Sequence, residues 1–329
     1  MIYPAKIFEY HIRCIGGLLG GYFVSGERLL LAAAKRAADA MINTGVFNTA
    51  SGFPRPNARI VHPSSPVRWV FARVLDRIRN IYDAEQRCNS LAGVGSFSLE
   101  FYALSRETGE QYYANIADAI MDRIEGIRRR DPRKPIPTKF SVIDDDPVGF
   151  SCGFAARSFR VGSGADSFYE YLVKSPILLG RDRNSMYSWL LENVKSELLQ
   201  STPRGLFLRK EKYSDHIAHL DCYFAGTVAL ASKYLKGRRG DLGIAEGIAE
   251  ACAHSYMDSP SGIGAETSSF DPVQGYTKPV ADFYSLSVFS FLLLIVLFWL
   301  FSRKISSTVA PRSSRAFTSF TKQLGTLNI

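Results

Sequence analysis

Residues 20–41 read GGYFVSGERLLLAAAKRAADAM, and residues 100–121 read EFYALSRETGEQYYANIADAIM. Each stretch passes from an apolar segment through a glycine-containing turn into an amphipathic segment with alanines on one face. Glycine adopts the left-handed backbone conformation without steric penalty, so the turns at Gly26 and Gly109 predict helical hairpins. The recurrence of one hairpin pattern predicts an all-α fold, either a solenoid or an α/α toroid.

Helical periodicity extends over most of the chain, and strands are predicted to be minor. The predicted helices cover residues 7–24, 28–42, 96–105, 111–129, 166–179, 185–200, 221–235 and 242–257. The first helix contains four glycines, each of which costs about 1 kcal/mol relative to alanine, so we expect close packing or a binding site against it. They are Gly16, Gly17, Gly20 and Gly21.

The composition is that of a globular protein, with 46% hydrophobic and 22% charged residues among 329 and a net charge of +9. The basic excess is scattered and forms no compact stripe with aromatic residues, so we expect no nucleic-acid partner. There are five cysteines and no Cys-x-x-Cys pair, which argues against a zinc ribbon. If the other cysteines pair, at least one thiol stays free.

An uncharged, largely apolar stretch begins at about residue 283 and runs to residue 302. Because roughly 20 apolar residues can span a bilayer, we predict a C-terminal apolar helix and a membrane-spanning segment over 287–302. The alternative is a buried core helix, although such helices rarely lack a polar face. Only basic charges follow in 303–329, so the positive-inside rule places this tail, which we expect to be disordered, in the cytosol and residues 1–286 in the lumen.

Two acidic residues stand close to glycine and aromatic residues. Glu9 precedes Arg13 by about one helical turn, the spacing of an ordinary ion pair worth roughly 0.3–0.5 kcal/mol. Asp166 opens a predicted helix, where a carboxylate stabilises the N-terminus by about 1 kcal/mol. From these residues alone, structural roles explain both positions better than catalysis does.

Four separated blocks change that interpretation, because together they resemble class I α-mannosidases of glycoside hydrolase family 47. The blocks are FEYHIRCIGGLLGGYFVSGE (8–27), SFSLEFYALSRETGE (96–110), GSGADSFYEYLVK (162–174) and HLDCYFAGTVALA (219–231). The resemblance extends over roughly residues 7–286 and implies an α/α toroid, a barrel of seven helical hairpins in the family. We expect the barrel here to be incomplete, because the hairpin before Glu9 and the part after Leu286 have no counterpart.

The resemblance implies a calcium-dependent, inverting α-1,2-mannosidase that removes terminal mannose from high-mannose N-glycans in the endoplasmic reticulum or Golgi. Glu9 matches the general acid of the family and Asp166 matches a second catalytic carboxylate. The residues expected to contact substrate are Arg13, Glu100, His219 and Glu266. Cys222 and Cys252 match the pair that forms the family's disulfide.

The sequence departs from the family pattern in two places. Gly93 stands where the family has a glutamate that lines the sugar pocket. After Leu286 the family continues with Arg-Pro-Glu, which brings a further catalytic carboxylate, and later with a threonine that coordinates calcium. Neither has a counterpart here, so we expect no metal ligand in this chain and no α-1,2-mannosidase activity from residues 1–329 as given.

Three functional hypotheses therefore stay open. The first is a glycoside hydrolase acting on α-1,2-linked mannose. The second is a mannosidase-like lectin that delivers misfolded glycoproteins for degradation, and the third is a fragment without function. Retention of Glu9 and Asp166 fits the first two equally well.

Overall fold

The computed structural model describes residues 4–60, 87–148, 152 and 158–280. The chain divides into two compact units, Met1–Tyr284 and Ser285–Ile329, and all described residues belong to the first. The predicted membrane segment 287–302 and the tail 303–329 lie outside the described residues and remain predictions. Within the described ranges, no helix is both long enough and apolar enough to cross a membrane.

Helices dominate the described residues, as the sequence predicts. The α-helices are α1 Ile7–Glu9, α2 Gly16–Ser25, α3 Arg28–Ile42, α4 Leu91–Gly95, α5 Ser98–Thr108, α6 Gln111–Arg130, α7 Asp166–Leu179, α8 Asn184–Glu197, α9 Tyr223–Tyr234 and α10 Leu242–Met257. A π-helical turn, Tyr10–Ile15, joins α1 to α2, and a 3₁₀ turn, His219–Cys222, precedes α9. The helices pair into the hairpins α2–α3, α5–α6, α7–α8 and α9–α10.

The first helices of successive hairpins lie side by side, since α2 contacts α5, α5 contacts α7 and α7 contacts α9. Hydrogen bonds between neighbouring first helices follow the same order along both helices. His11, in the π turn before α2, contacts Glu100 near the start of α5, and Tyr22, near the end of α2, donates to Glu107 near the end of α5. Arg106 likewise reaches the carbonyl of Leu178. The first helices therefore run parallel, and their N-terminal ends gather at one end of the row, which is the arrangement expected of part of an α/α toroid.

Short antiparallel strands connect the hairpins. They are β1 Ala5–Lys6, β2 Asn57–Ala58, β3 Cys88–Ser90, β4 Lys139–Ser141, β5 Leu199–Thr202, β6 Gly205–Leu208, β7 His216–Ala218, β8 Thr267–Phe270 and β9 Thr277–Pro279. The sheets are β1–β2, β3–β4, β5–β6 and the three-stranded β7–β8–β9. The predicted helix 185–200 therefore ends too late, because its last residues belong to the hairpin that turns at Gly205.

Glycine acts in the hairpin turns as the sequence indicates. Gly26 and Gly109 follow α2 and α5 with φ values of 74° and 76°. Inside the first helical segment, a Cβ at Gly16 would lie 3.2 Å from Oε1 of Glu100, and one at Gly21 would lie 3.1 Å from Leu30. The expectation of close packing is right for these two, whereas Gly17 has no neighbour within 4 Å of its Cβ position.

Candidate active site

The π-helical turn positions the first candidate carboxylate. Glu9 ends α1, and Arg13 lies within the π turn, where its Nε–H donates to Oε2 of Glu9. Both side chains are accessible, with exposed fractions of 40% for Glu9 and 74% for Arg13. π-helical turns within helices often occur at functional sites. The pair matches the predicted contact, and its exposed carboxylate is free to meet a ligand.

Glu100 lies in α5 and contacts two other hairpins. Its Oε2 is 3.0 Å from Nε2 of His11, and its Oε1 accepts a hydrogen bond of 2.8 Å from the Tyr171 hydroxyl. The Glu100 side chain is only 11% exposed. Burial, followed by the charge of Glu100, raises the pKa of Tyr171 well above its ordinary value, so this hydroxyl keeps its proton for the bond.

Asp166, the second candidate carboxylate, is the first residue of α7. Burial raises the pKa of its carboxyl, an effect that the backbone N–H of Ser167 partly opposes. The backbone around it is tightly held, since the Tyr223 hydroxyl donates to the carbonyl of Asp166 at 3.1 Å and to that of Val161 at 2.8 Å. A carboxylate with a raised pKa is a stronger base, which suits it to accept a proton from water.

A third carboxyl lies close to Asp166. Asp221, in the turn before α9, is 4% exposed, and burial raises its pKa to about 7. The charge of Asp166 raises this pKa further, while Lys210 and Arg160 oppose the rise. Its Oδ1 would lie 1.7 Å from a Cβ at Gly162, so the carboxyl packs directly against that glycine. Asp221 is not among the site residues predicted from the sequence; its signal there is an acidic residue beside a cysteine expected to form a disulfide.

His219 and Glu266 meet through the backbone. The His219 N–H donates to the Glu266 carbonyl at 3.0 Å, and Nε2 of the ring contacts the Tyr256 hydroxyl. Burial lowers the pKa of His219, and the negative charge of Glu266 partly opposes this effect. The imidazole is therefore suited to hydrogen bonding in its neutral form rather than to charge pairing.

The predicted site residues thus fall into separate local groups. Among the residues described, no hydrogen bond or ion pair joins the Glu9–Arg13 pair to Asp166 or to His219. Nor do three or more histidine, cysteine, aspartate or glutamate side chains converge there to hold a metal ion.

Two disulfides fix the segments around these groups. Cys222 and Cys252 are bonded, with Cα atoms 5.9 Å apart, which ties the turn before α9 to α10. Cys88 and Cys152 form a second bridge, which is not predicted from the sequence. Closing loops of this length stabilises a protein by about 3–5 kcal/mol in the chain-entropy model. Cys14 is free and exposed.

Gly93, where the family has glutamate, lies in α4 against the Asn89 side chain. A Cβ at this position would be 2.1 Å from Oδ1 of Asn89 and 2.9 Å from Oγ of Ser90. Asn89 is buried, and its amide donates to the carbonyl of Pro54 at 2.9 Å and accepts from the Ser90 N–H at 2.8 Å. The side chain of Asn89 therefore occupies the room that a larger residue at position 93 would need.

Gly93→Ala is expected to lower the free energy of unfolding by about 1–3 kcal/mol, because Asn89 can move only by breaking its buried hydrogen bonds. Gly126→Ala is the matched control. Gly126 lies inside α6 with nothing within 4 Å of its Cβ position, so alanine there is expected to stabilise by about 0.5–1 kcal/mol. Urea unfolding of the two variants measures whether each substitution lowers or raises the free energy of unfolding. An unchanged free energy in Gly93→Ala would show that Asn89 is not fixed.

The chain belongs to glycosyl hydrolase family 47, which it matches over residues 3–287. Human mannosyl-oligosaccharide 1,2-alpha-mannosidase IC is 29% identical over 271 residues, covering 80% of this chain and 39% of the relative. Mannosyl-oligosaccharide 1,2-alpha-mannosidase of Candida albicans is 27% identical, covering 80% of this chain and 47% of the relative. The chain thus spans less than half the length of these relatives.

The fold is also that of a solved mannosidase structure. The alpha-1,2-mannosidase from Trichoderma reesei superposes with a TM-score of 0.60 at 21% identity, covering 83% of this chain and 56% of that chain. At this identity the likeness establishes the fold, and it agrees with the parallel row of first helices described above.

Proposed function

We propose that this protein is a glycoside hydrolase that removes terminal α-1,2-linked mannose from high-mannose N-glycans. The observation that supports this most directly is that the two family carboxylates occupy different environments. Glu9 is exposed beside Arg13, and Asp166 lies in a buried environment that raises its pKa. An inverting glycosidase needs two carboxyl groups, because one must donate a proton to the glycosidic oxygen while the other activates water. The family resemblance assigns the acid to Glu9, and the raised pKa of Asp166 makes its carboxylate a stronger base.

In the proposed reaction, Glu9 protonates the glycosidic oxygen as the bond to the anomeric carbon breaks. Arg13 holds the Glu9 carboxyl through its Nε–H and so fixes the direction in which the proton is offered. Asp166 accepts a proton from a water molecule that attacks the anomeric carbon from the opposite face. The product is mannose with inverted configuration, and the departing sugar carries the proton from Glu9.

The proposed location is the lumen of the secretory pathway. The described residues contain two disulfides. Disulfides persist in oxidising compartments and are rare in cytosolic proteins. A human relative is named endoplasmic reticulum mannosyl-oligosaccharide 1,2-alpha-mannosidase and is 27% identical over 278 residues. Within the secretory pathway, we propose the endoplasmic reticulum or the Golgi as the compartment. We also propose that the protein is attached to a membrane and that its family's activity depends on calcium.

The test is product analysis with an α-1,2-linked mannose disaccharide. Proton NMR of the first turnovers is expected to detect β-mannose before it mutarotates, and Asp166→Asn is expected to abolish its formation. The assay uses a high protein concentration, so that enough mannose forms before mutarotation equilibrates the anomers. Release of mannose by residues 1–329 would also contradict the expectation that they are inactive. Binding of the disaccharide without any release of mannose would contradict hydrolysis and favour the lectin hypothesis.

A further inference from the structure

The environment of Glu100 differs from that of a sugar-binding carboxylate. One oxygen meets Nε2 of His11 at 3.0 Å, and the other accepts from the Tyr171 hydroxyl at 2.8 Å. His11 is 0% exposed and Tyr171 is 9% exposed. Both carboxylate oxygens are therefore already engaged inside the protein, and only 11% of the Glu100 side chain is open to a sugar.

The two partners of Glu100 belong to the segments that carry the candidate catalytic groups. His11 lies in the π turn, between Glu9 and Arg13 in sequence. Tyr171 lies five residues after Asp166, in the same helix, α7. Glu100 is thus bonded on one side to the segment of the proposed acid and on the other side to the helix of the second carboxylate.

The surroundings of His11 indicate which atom donates in its hydrogen bond with Glu100. The imidazole lies 4.5 Å from the Phe97 ring and 4.9 Å from the Phe101 ring, measured between centroids. Its Nδ1 is buried without a hydrogen-bond partner among the described residues. The tautomer with hydrogen on Nε2 donates to Glu100 and avoids an unpaired buried N–H at Nδ1.

The backbone of the first helix also accommodates Glu100. A Cβ at Gly16 would lie 3.2 Å from Oε1, so glycine at this position lets the carboxylate lie close against the helix. A side chain here would push against the same oxygen that accepts from Tyr171. The glycine at position 16 thus leaves the space that the Glu100 carboxylate occupies next to α2.

We propose that Glu100 is a positioning residue that holds the π turn next to Glu9 and the helix that begins with Asp166 in a fixed relation, rather than a residue that contacts the sugar. The inference rests on the proposed function of Glu9 and Asp166. Glutamine at position 100 removes the negative charge that strengthens both bonds, and its amide nitrogen can only donate, so at least one of the two bonds must reverse its direction or be lost. The π turn and α7 are therefore expected to be held less firmly in their relative positions in this variant.

The kinetic test compares Glu100→Gln and Tyr171→Phe with the control Tyr22→Phe. The control removes a similar tyrosine–glutamate bond between first helices, from Tyr22 to Oε2 of Glu107 at 3.1 Å, farther from the π turn. Misplacement of reacting groups lowers kcat, so both test variants are expected to lose about 10–100-fold in kcat with KM unchanged within about twofold. The control is expected to keep its kcat. A rise in KM with kcat unchanged would show a substrate contact instead and would overturn the inference.

A second readout does not depend on turnover. The Arg13 Nε–H resonance in a ¹⁵N–¹H spectrum, assigned by its loss in Arg13→Lys, reports the bond to Glu9. It is expected to shift in Glu100→Gln and Tyr171→Phe and to stay in place in Tyr22→Phe. If the unsubstituted protein releases no mannose, the proposed function fails, and this resonance alone decides the inference. An unchanged resonance in both test variants would overturn it.

Discussion

Glu9→Gln is expected to lower kcat/KM for an α-1,2-linked mannose disaccharide by about 10²–10⁴-fold, the usual contribution of a positioned acid. A sugar alkoxide is a poor leaving group and needs the proton that the amide cannot give. A dinitrophenolate departs without protonation. The same variant is therefore expected to retain activity within about tenfold on 2,4-dinitrophenyl α-mannoside. Rates on the two substrates, measured side by side, check this difference.

Glu192→Gln is the matched control for this substitution. Glu192 lies in α8, is 63% exposed and pairs with Lys195 at 2.8 Å, so it is also an accessible glutamate in a local ion pair. It is expected to leave both rates unchanged. Equal losses on both substrates in Glu9→Gln would contradict the role of Glu9 as the acid.

Asp221→Asn is expected to change how stability depends on pH. Burial raises the pKa of Asp221 from 3.8 to about 7 in the folded protein, so the folded state holds a proton that the unfolded state releases. This stabilisation is fully present below about pH 4 and is lost as the pH rises through 7. A difference of about three pKa units corresponds to about 4 kcal/mol. Asparagine does not titrate, so the variant is expected to lose this dependence.

The measurement is urea unfolding of both proteins at pH 4.5, 6 and 7.5. Relative to Asp221→Asn, the unsubstituted protein is expected to lose about 3 kcal/mol between the lowest and the highest pH, because about 1 kcal/mol of the full difference is already lost at pH 4.5. Asp215→Asn is the control, because the Asp215 side chain is 56% exposed and lies in the loop just before the same turn. It is expected to follow the unsubstituted protein. Identical pH profiles for Asp221→Asn and the unsubstituted protein would show that Asp221 is ionised in its buried position.

The helical hairpins could be predicted because their signals are local. An apolar segment, a glycine in the left-handed conformation and an alanine-rich face follow one another within 22 residues at Gly26 and again at Gly109. The π turn could not be predicted in this way. Over the six residues Tyr10–Ile15, a wider helical turn and an ordinary one give the same apolar spacing.

The candidate site could be predicted only in part, because its contacts are distant in sequence. Glu9 and Arg13 are one turn apart, and their pairing is readable from the spacing. Glu100 could be named from the resemblance, but its partners lie 89 and 71 residues away, on different hairpins. The Cys88–Cys152 bridge was equally hidden, because five cysteines leave several pairings open.

Because the first helices run parallel, their N-terminal ends and their C-terminal turns lie at opposite ends of the row, and the turns offer a place to attach a label. The candidate carboxylates lie where these helices begin, and the turns at Gly26 and Gly109 lie where they end. Helix α5 has 11 residues, which places its two ends about 16 Å apart. A fluorophore or short epitope attached at the Gly109 turn would thus report on the protein from the end of the row opposite to the candidate carboxylates.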